Sequence, residues 1–115
     1  MKILREEDLP RDGTAHDLIG EQHGDVGVSV IFTHAPPGRG PSLHTHPYAE
    51  VLILLEGQAR VFDGENERDI TPGDVVIVEP GEPHGFTNTG ETPLRQIDIH
   101  ASPRFVTEWL EQLTP

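Results

Sequence analysis

The sequence predicts a single all-β domain, an antiparallel barrel or jelly roll that ends in a short α-helix. Short apolar runs rich in Val, Ile and Leu recur about every eight to twelve residues, a spacing typical of such folds. Twelve glycines and eleven prolines lie between these runs and mark the turns. The length of 115 residues allows one domain over residues 1–115 and little more.

The predicted strands follow one another through a barrel region over residues 26–100. Before it, residues 1–25 are polar and are expected to form an N-terminal arm or an edge strand, with at most one short strand near residues 15–20. The run at 50–55 is apolar after its first residue, which predicts a strand covered on both faces. The barrel strands are predicted at residues 26–33, 43–46, 50–55, 58–62, 68–70, 75–78, 84–88 and 93–100.

The C-terminal residues break the strand pattern. Ser102 and Pro103 resemble a helix N-cap followed by proline at the first helical position. Phe105, Trp109 and Leu113 then follow at four-residue spacing. This spacing predicts an amphipathic helix over residues 103–113, packed on the sheet or on a partner subunit.

Charge and composition exclude several classes of partner. Eight basic and twenty acidic residues give a net charge of -12, and a surface so acidic repels nucleic acid and anionic membranes. The sequence has no cysteine, so a metal site must use nitrogen and oxygen ligands. We see no signal peptide and no apolar run long enough to span a membrane, which predicts a cytoplasmic protein.

Three histidines and one glutamate have the spacing of a metal site. On a strand, residues two apart point to the same face, so His44 and His46 project together. Glu50 opens the next predicted strand, and His84 must come from a distant strand, which a barrel can bring to the same interior point. Three imidazoles and one carboxylate suit a first-row transition metal with open coordination positions.

The other histidines give weaker signals. A single histidine is usually a surface or packing residue, and a His-x-His pair also occurs by chance. His16, His23 and His34 show no ligand spacing and are expected at the surface. His100, at the end of a predicted strand, is ambiguous.

The glycines and prolines around the four residues resemble the two motifs of the cupin superfamily. Residues 38–57 read G-x5-H-x-H-x3-E-x6-G without a gap. Residues 73–88 resemble G-x5-P-x-G-x2-H-x3-N, with one departure, because Glu79 stands where the motif has proline and Pro80 follows it. The resemblance implies a small single-domain cupin, a double-stranded β-helix or jelly-roll barrel, with a metal held by His44, His46, Glu50 and His84.

The resemblance and the ligand set together narrow the cofactor. One divalent ion per subunit is expected, with Mn or Fe favoured by the resemblance and Ni, Co, Cu or Zn compatible with the ligands. The absence of thiolates argues against a closed structural zinc site. Glu50 is also a candidate catalytic residue, since a carboxylate that leaves the metal can act as a general base.

Strand parity suggests further residues of a substrate pocket. Phe86 shares a face with His84 and is expected to wall the pocket. Tyr48 either lines the mouth or packs in the turn before Glu50. Arg60 either anchors an anionic substrate or is an ordinary exposed arginine, which is the favoured interpretation.

A polar row lies on the last predicted strand. Gln96, Asp98 and His100 share one face of this strand, and the opposite face carries Arg95, Ile97 and Ile99. The row either reaches into the pocket or faces solvent. We favour the solvated outer face.

Several functions remain compatible with these residues. The favoured hypothesis is a metalloenzyme for a small-molecule substrate, of dioxygenase type, followed by an isomerase or lyase. A non-catalytic binding or sensing protein is the main alternative. The sequence shows no pair of DNA-binding helices through which a sensor could act, which favours an enzyme. A scaffold or storage protein is a third hypothesis. The complete ligand set argues against it, because a barrel does not need four convergent ligands for its structure. A homodimer is expected, because small cupins are typically dimers and apolar outer faces favour a second subunit.

Overall fold

The computed structural model of the protein describes residues 1–110. Within that range there is no α-helix, and two 3-10 turns occur at Glu6–Asp8 and Gly20–Gln22. The strands are β1 (Arg11–Asp12), β2 (Ala15–Leu18), β3 (Ser29–Ala35), β4 (His44–Thr45), β5 (Glu50–Glu56), β6 (Ala59–Phe62), β7 (Glu67–Ile70), β8 (Val75–Val78), β9 (Gly85–Asn88), β10 (Leu94–His100) and β11 (Glu108–Trp109).

The strands form two antiparallel layers. One layer is a six-stranded sheet in the order β1-β2-β3-β10-β5-β8. The other contains the three-stranded sheet β7-β6-β9 and the pair β11-β4, and a bridge between His44 and His84 connects β4 to the start of β9. The N-terminal strands β1 and β2 therefore extend the larger sheet at its edge.

The core lies between the two layers. Leu52, Leu54 and Leu94 come from the six-stranded sheet, and they pack with Ala59 and Phe86 from the other layer. Alternate residues of β3, β5 and β10 point into this core, as the pleat requires. The arrangement is a double-stranded β-helix, or jelly roll, and it confirms the predicted fold class.

A glycine allows the chain to change layers after β5. Gly57 adopts a φ of 95°, in the left-handed region that glycine occupies at little cost. A Cβ atom at this position would also lie 3.0 Å from the Cα atom of Leu94. The tight turn carries the chain from the six-stranded sheet into β6, on the other side of the core.

The prediction for the C-terminal residues was wrong. Residues 103–107 are not helical, and Glu108 and Trp109 form β11, which pairs with Thr45 and His44. The segment forms a strand and not a helix, because the edge of β4 is available for backbone hydrogen bonds with it. Residues 111–113 of the predicted helix lie outside the described residues.

The outer face of β5 is less covered than the sequence suggested. Glu50, Leu52 and Leu54 point inward and are buried, whereas Val51 and Ile53 are only partly buried. No helix in residues 1–110 has the length and apolar character needed to cross a membrane. The cytoplasmic location stays a prediction.

Candidate metal centre

The fold brings the four predicted ligands together inside the barrel. His44 lies on β4, His46 follows it, Glu50 opens β5, and His84 precedes β9. All four residues are buried, with 4–8% of their surface exposed. One ligand atom from each lies within 4.8 Å of the corresponding atoms of the other three. The group therefore has the compactness that a single ion requires.

Backbone carbonyls fix the tautomer of all three histidines. A carbonyl can only accept, so each Nδ1 atom carries the proton and each Nε2 atom directs its lone pair to the centre. The acceptors are the carbonyl oxygens of Ser42 for His44 at 2.6 Å, Val106 for His46 at 2.8 Å and Glu82 for His84 at 2.9 Å.

A cation fits the resulting arrangement of acceptors. The Oε1 atom of Glu50 lies 3.0 Å from Nε2 of His46 and 3.1 Å from Nε2 of His84. In this tautomer both nitrogens are acceptors, and Nε2 of His46 is buried without a hydrogen-bond partner. Acceptors facing acceptors in a buried site are stable only if a positive charge lies among them. The nitrogen and oxygen donors suit a divalent transition metal.

The electrostatics of the site also favour a cation. Burial acts against the charge of Glu50, but the hydrogen bonds that His46 and His84 donate to it when their Nε2 atoms carry a proton outweigh burial and lower the pKa of Glu50 to about 2. Burial tends to lower the pKa of His84, yet the contact with Glu50 raises it overall. Burial lowers the pKa of His44. Glu50 is thus ionised and available as a ligand, and a proton on His84 would compete with a bound metal.

A cavity of about 670 Å³ adjoins the four ligands. Apolar side chains form much of its wall, including Ile31, Leu52, Phe86, Phe105 and Trp109. A cavity of this size accommodates a small organic molecule. Phe86 lines this cavity, and its part in substrate binding stays a prediction.

The C-terminal strand segment, residues 105–110, closes one side of the centre. Phe105, Thr107 and Trp109 line the cavity at two-residue spacing, as expected for an extended chain. The indole of Trp109 lies 4.9 Å from the imidazole of His44, measured between ring centroids. Sequence reasoning missed these residues, although their alternation was a possible signal for a strand.

Residues 31–100 match the cupin domain family, and this match covers more than half of the chain. The chain belongs to the cupin family.

Two relatives and one solved structure illustrate the range of similar proteins. The (R)-mandelonitrile lyase of Granulicella tundricola is 32% identical over 91 residues, which cover 77% of this cupin and 67% of the lyase. The oxalate-binding protein of Thermotoga maritima is 37% identical over 65 residues, which cover 56% and 54% of the two chains. Oxalate decarboxylase from Bacillus subtilis, a protein with Mn(II) centres, has a TM-score of 0.76 and 22% identity, with 90% of this chain and 30% of that chain covered. The cupin thus spans about half to two thirds of these two relatives.

The polar row of β10 faces the interior of the cupin barrel. Gln96, Asp98 and His100 are 1–4% exposed, so the favoured outer-face interpretation was wrong. Leu94, which has the same parity and is fully buried, was the available signal. Asp98 lines the cavity, whereas Gln96 lies behind it and donates to the Asp98 carboxyl at 2.7 Å.

Asp98 is a buried carboxyl group that no cation neutralises in the described part of the chain. The hydroxyl of Thr33 donates to its other oxygen at 2.8 Å. Burial, followed by the charge of Glu50, raises the pKa of Asp98 to about 7. Two hydrogen bonds stabilise the charged form only in part. Asp98 is therefore a buried polar position in the cavity wall, and it changes charge near neutral pH.

A fourth histidine and a tyrosine lie beside the ligands. His100 Nε2 is 3.6 Å from Oε2 of Glu50, and burial lowers the pKa of His100 to about 4. The Tyr48 hydroxyl is 2.7 Å from Nδ1 of His100, and its ring stacks on His46 at 5.0 Å between centroids. Burial raises the pKa of Tyr48. Tyr48 supports the ligands from behind.

Arg60 does not reach the cavity. It is exposed on β6, where its Nε atom lies 2.9 Å from the Asp69 carboxylate. Arg39, in the loop after β3, lines the cavity instead. Strand parity could not reveal a loop residue of this kind.

The remaining histidines lie away from the centre. His16 and His34 are partly buried on the outer side of the six-stranded sheet, where both approach the carboxylate of Glu6. His23 lies after the second 3-10 turn, beside Lys2. None of the three lines the cavity that adjoins the four ligands.

Proposed function

We propose that this cupin is a metal-dependent lyase that acts on a small α-hydroxy compound. The observation that carries the proposal is the convergence of three unprotonated imidazole nitrogens and an ionised carboxylate on a largely apolar cavity. The similarity to (R)-mandelonitrile lyase supports lyase chemistry, because the matched residues cover 77% of this chain.

The ion proposed for this site is Mn(II) or Fe(II). His44, His46, Glu50 and His84 would hold it. The Mn(II) centres of the structurally similar oxalate decarboxylase support manganese. When bound, a divalent ion supplies Lewis acidity, which polarises a substrate oxygen and makes an attached proton easier to remove.

The protein side chains bind and orient the substrate in this proposal. Leu52, Phe86 and Phe105 contact its apolar part and exclude water. Asp98 provides a polar contact on the same wall. The low pKa of Glu50 favours its role as a ligand, since an effective general base has a pKa nearer the working pH. The general-base role of Glu50 stays a prediction.

The proposed reaction is redox-neutral. The bond between the hydroxyl-bearing carbon and the leaving carbon breaks, and its electron pair departs with the leaving group. The hydroxyl oxygen becomes a carbonyl oxygen, and its proton ends on the leaving group. No oxidant enters the balance, in contrast to the dioxygenase expected from the sequence.

A binding protein is the second candidate function. The oxalate-binding relative supports it, and Arg39 at the cavity offers a positive charge for a carboxylate. The two relatives named above are a lyase and a binding protein, so we place lyase chemistry ahead of oxygen chemistry.

One experiment separates these functions. Protein loaded with Mn(II), Fe(II) or Zn(II) is assayed with mandelonitrile for release of the aldehyde, with oxalate for binding by calorimetry, and in an oxygen electrode. We expect aldehyde release that is lost in His84→Ala and kept in His23→Ala, a histidine away from the centre. Oxalate binding without any turnover would overturn the lyase in favour of a binding protein. Oxygen consumption with a substrate would support the dioxygenase.

A further inference from the structure

His100 packs against His46, with 4.7 Å between ring centroids, and approaches a different oxygen of Glu50 from His46 and His84. Its Nε2 atom faces Oε2 of Glu50, whereas His46 and His84 face Oε1. His100 also lines the cavity and is 3% exposed. Its distance of 3.6 Å from Oε2 is too long for a direct hydrogen bond. The nitrogen therefore remains available to another partner.

A chain of hydrogen bonds determines which nitrogen of His100 carries the proton. The backbone N–H of Val106 donates to the Tyr48 hydroxyl at 3.2 Å, so this oxygen is already an acceptor. Its single proton has two nitrogens within reach, Nδ1 of His100 at 2.7 Å and Nδ1 of His46 at 3.4 Å. Nδ1 of His46 carries its own proton, which it donates to the Val106 carbonyl. Tyr48 therefore donates to Nδ1 of His100.

The hydrogen bonds from Val106 to Tyr48 and from Tyr48 to His100, here called the relay, give His100 the tautomer opposite to that of the three ligand histidines. A neutral imidazole has one donor and one acceptor, so an accepting Nδ1 places the proton on Nε2. We propose that Tyr48 and Val106 make His100 an N–H donor at the metal centre and prevent it from acting as a fifth ligand. The Nε2 atom that carries this proton lies 3.6 Å from Oε2 of Glu50, on a side chain that lines the cavity.

The donor defines a class of substrate, and this step alone rests on the proposed lyase function. A ligand would place one oxygen at the metal and a neighbouring acceptor atom against Nε2–H of His100. The nitrile nitrogen of an α-hydroxynitrile and the second oxygen of a carboxylate both have this pattern. A simple alcohol lacks the second acceptor and would bind less well.

Nitrogen NMR of protein labelled with ¹⁵N-histidine tests the tautomer directly. In the diamagnetic Zn(II) form, we expect proton-bearing Nδ1 atoms in His44, His46 and His84, and a proton-bearing Nε2 atom in His100. The His100→Gln variant assigns the signals, and His23, which lies away from the centre beside Lys2, is the control. A proton-bearing Nδ1 in His100, with its Nε2 bound to zinc, would overturn the proposal. This readout does not depend on turnover.

Variants then test the role of the relay. In Tyr48→Phe, His100 loses the donor to Nδ1, so we expect its tautomers to mix and the Co(II) absorption spectrum to change as Nε2 becomes available. The double variant Tyr48→Phe/His100→Gln should restore the original spectrum. A Tyr48→Phe spectrum and tautomer identical to those of the unchanged protein would contradict the relay.

Substrate affinity tests the donor. His100→Leu should weaken binding of a carboxylate or α-hydroxynitrile by about tenfold, the usual effect of losing one good hydrogen bond. His100→Gln, which keeps an N–H donor, should recover part of the loss. Equal weakening for a simple alcohol, or no recovery with glutamine, would overturn this use of the donor while leaving the tautomer result intact.

Discussion

The backbone carbonyl of Val106 accepts the Nδ1–H of His46 at 2.8 Å, although 60 residues separate the two in the chain. The backbone N–H of the same residue, Val106, donates to the Tyr48 hydroxyl. Because the partner of one imidazole nitrogen orients the other, the C-terminal strand segment helps to position a metal ligand that it does not itself contain. The candidate metal centre is therefore completed only when this segment pairs with β4.

Ending the chain after Arg104 should weaken metal binding. The His46 ring would lose its acceptor, and a lost partner of this kind typically costs about 10–100-fold in metal affinity. Competition with a chromophoric chelator measures the change. A chain ended after Leu110, which keeps β11, is the matched control. Equal metal affinity in the two shortened chains would contradict the role of the segment.

Metal affinity should fall as the pH is lowered below neutrality. The pKa of His84 is raised by Glu50, so His84 takes up a proton at a higher pH than an ordinary histidine does, and the metal must displace it. Glu50→Gln removes the charge that raises this pKa and should move the fall to lower pH. Calorimetry in buffers of different ionisation enthalpy counts the protons released. A pH-independent affinity would show that no ligand titrates in this range.

Asp98→Asn should stabilise the protein increasingly as the pH rises from 5 to 8. The folded-state pKa of Asp98, about 7, exceeds its ordinary value of 3.8, so the folded state binds the proton more tightly and loses stability as the pH rises through this window. Asparagine has no proton to lose, and the Thr33 hydroxyl can accept from its amide. Urea unfolding at several pH values measures the difference.

The control for this experiment is Asp63→Asn. Backbone N–H groups lower the pKa of exposed Asp63, so its carboxylate is ionised in both folded and unfolded chains above pH 5. Its stability difference should stay flat over the same range. A flat difference for Asp98→Asn as well would contradict the raised pKa.

Arg39 and Arg60 should differ in their effect on anionic ligands. Arg39 lines the cavity, whereas Arg60 pairs with Asp69 on the outside. Arg39→Ala should weaken oxalate binding several-fold, with an effect that diminishes at high salt. Arg60→Ala is the matched control and should leave binding unchanged. Similar losses in both variants would indicate a general effect of net charge.

A second copy of the chain is expected to cover the outer face of β5 and β8. Val75 and Ile77 on β8 are 56% and 70% exposed, and they continue the apolar rows of Val51 and Ile53. These rows carry no charge, so two copies can pair the same surface symmetrically. Light scattering should give a dimer mass that Ile77→Glu lowers and Val26→Ser, outside these rows, does not. A monomeric mass at micromolar concentration would refute the dimer.

Local patterns were enough to predict much of the barrel. The strand at residues 75–78 has the predicted bounds, because four β-branched residues lie between two strong turns. His44 and His46 point to one side because strand pleating depends only on neighbouring residues. Both motifs frame the ligands with glycines, and Gly81, with a φ of 79°, lets the loop before His84 donate to the His46 carbonyl at 2.8 Å.

Other features could not be predicted, because their partners are distant in the chain. Phe105 and Trp109 are four residues apart, which fits one face of a helix and one face of a strand equally well. Pairing with the edge of β4 selects the strand over the helix. Parity likewise grouped Gln96, Asp98 and His100 without showing which face is buried, since that depends on which sheet covers β10.

The sequence by itself determined the barrel strands over residues 26–100, the turns between them and the four candidate ligands, since each follows from residue types at characteristic spacing or from the two motifs. Only the tertiary structure decided the tautomers of the histidines, the inward direction of Asp98 and His100, and the part that Val106 has in the centre. Each of these depends on a hydrogen-bond partner or a covering layer supplied by a remote segment. Pairing between remote segments arises when the barrel closes, and no local pattern records it.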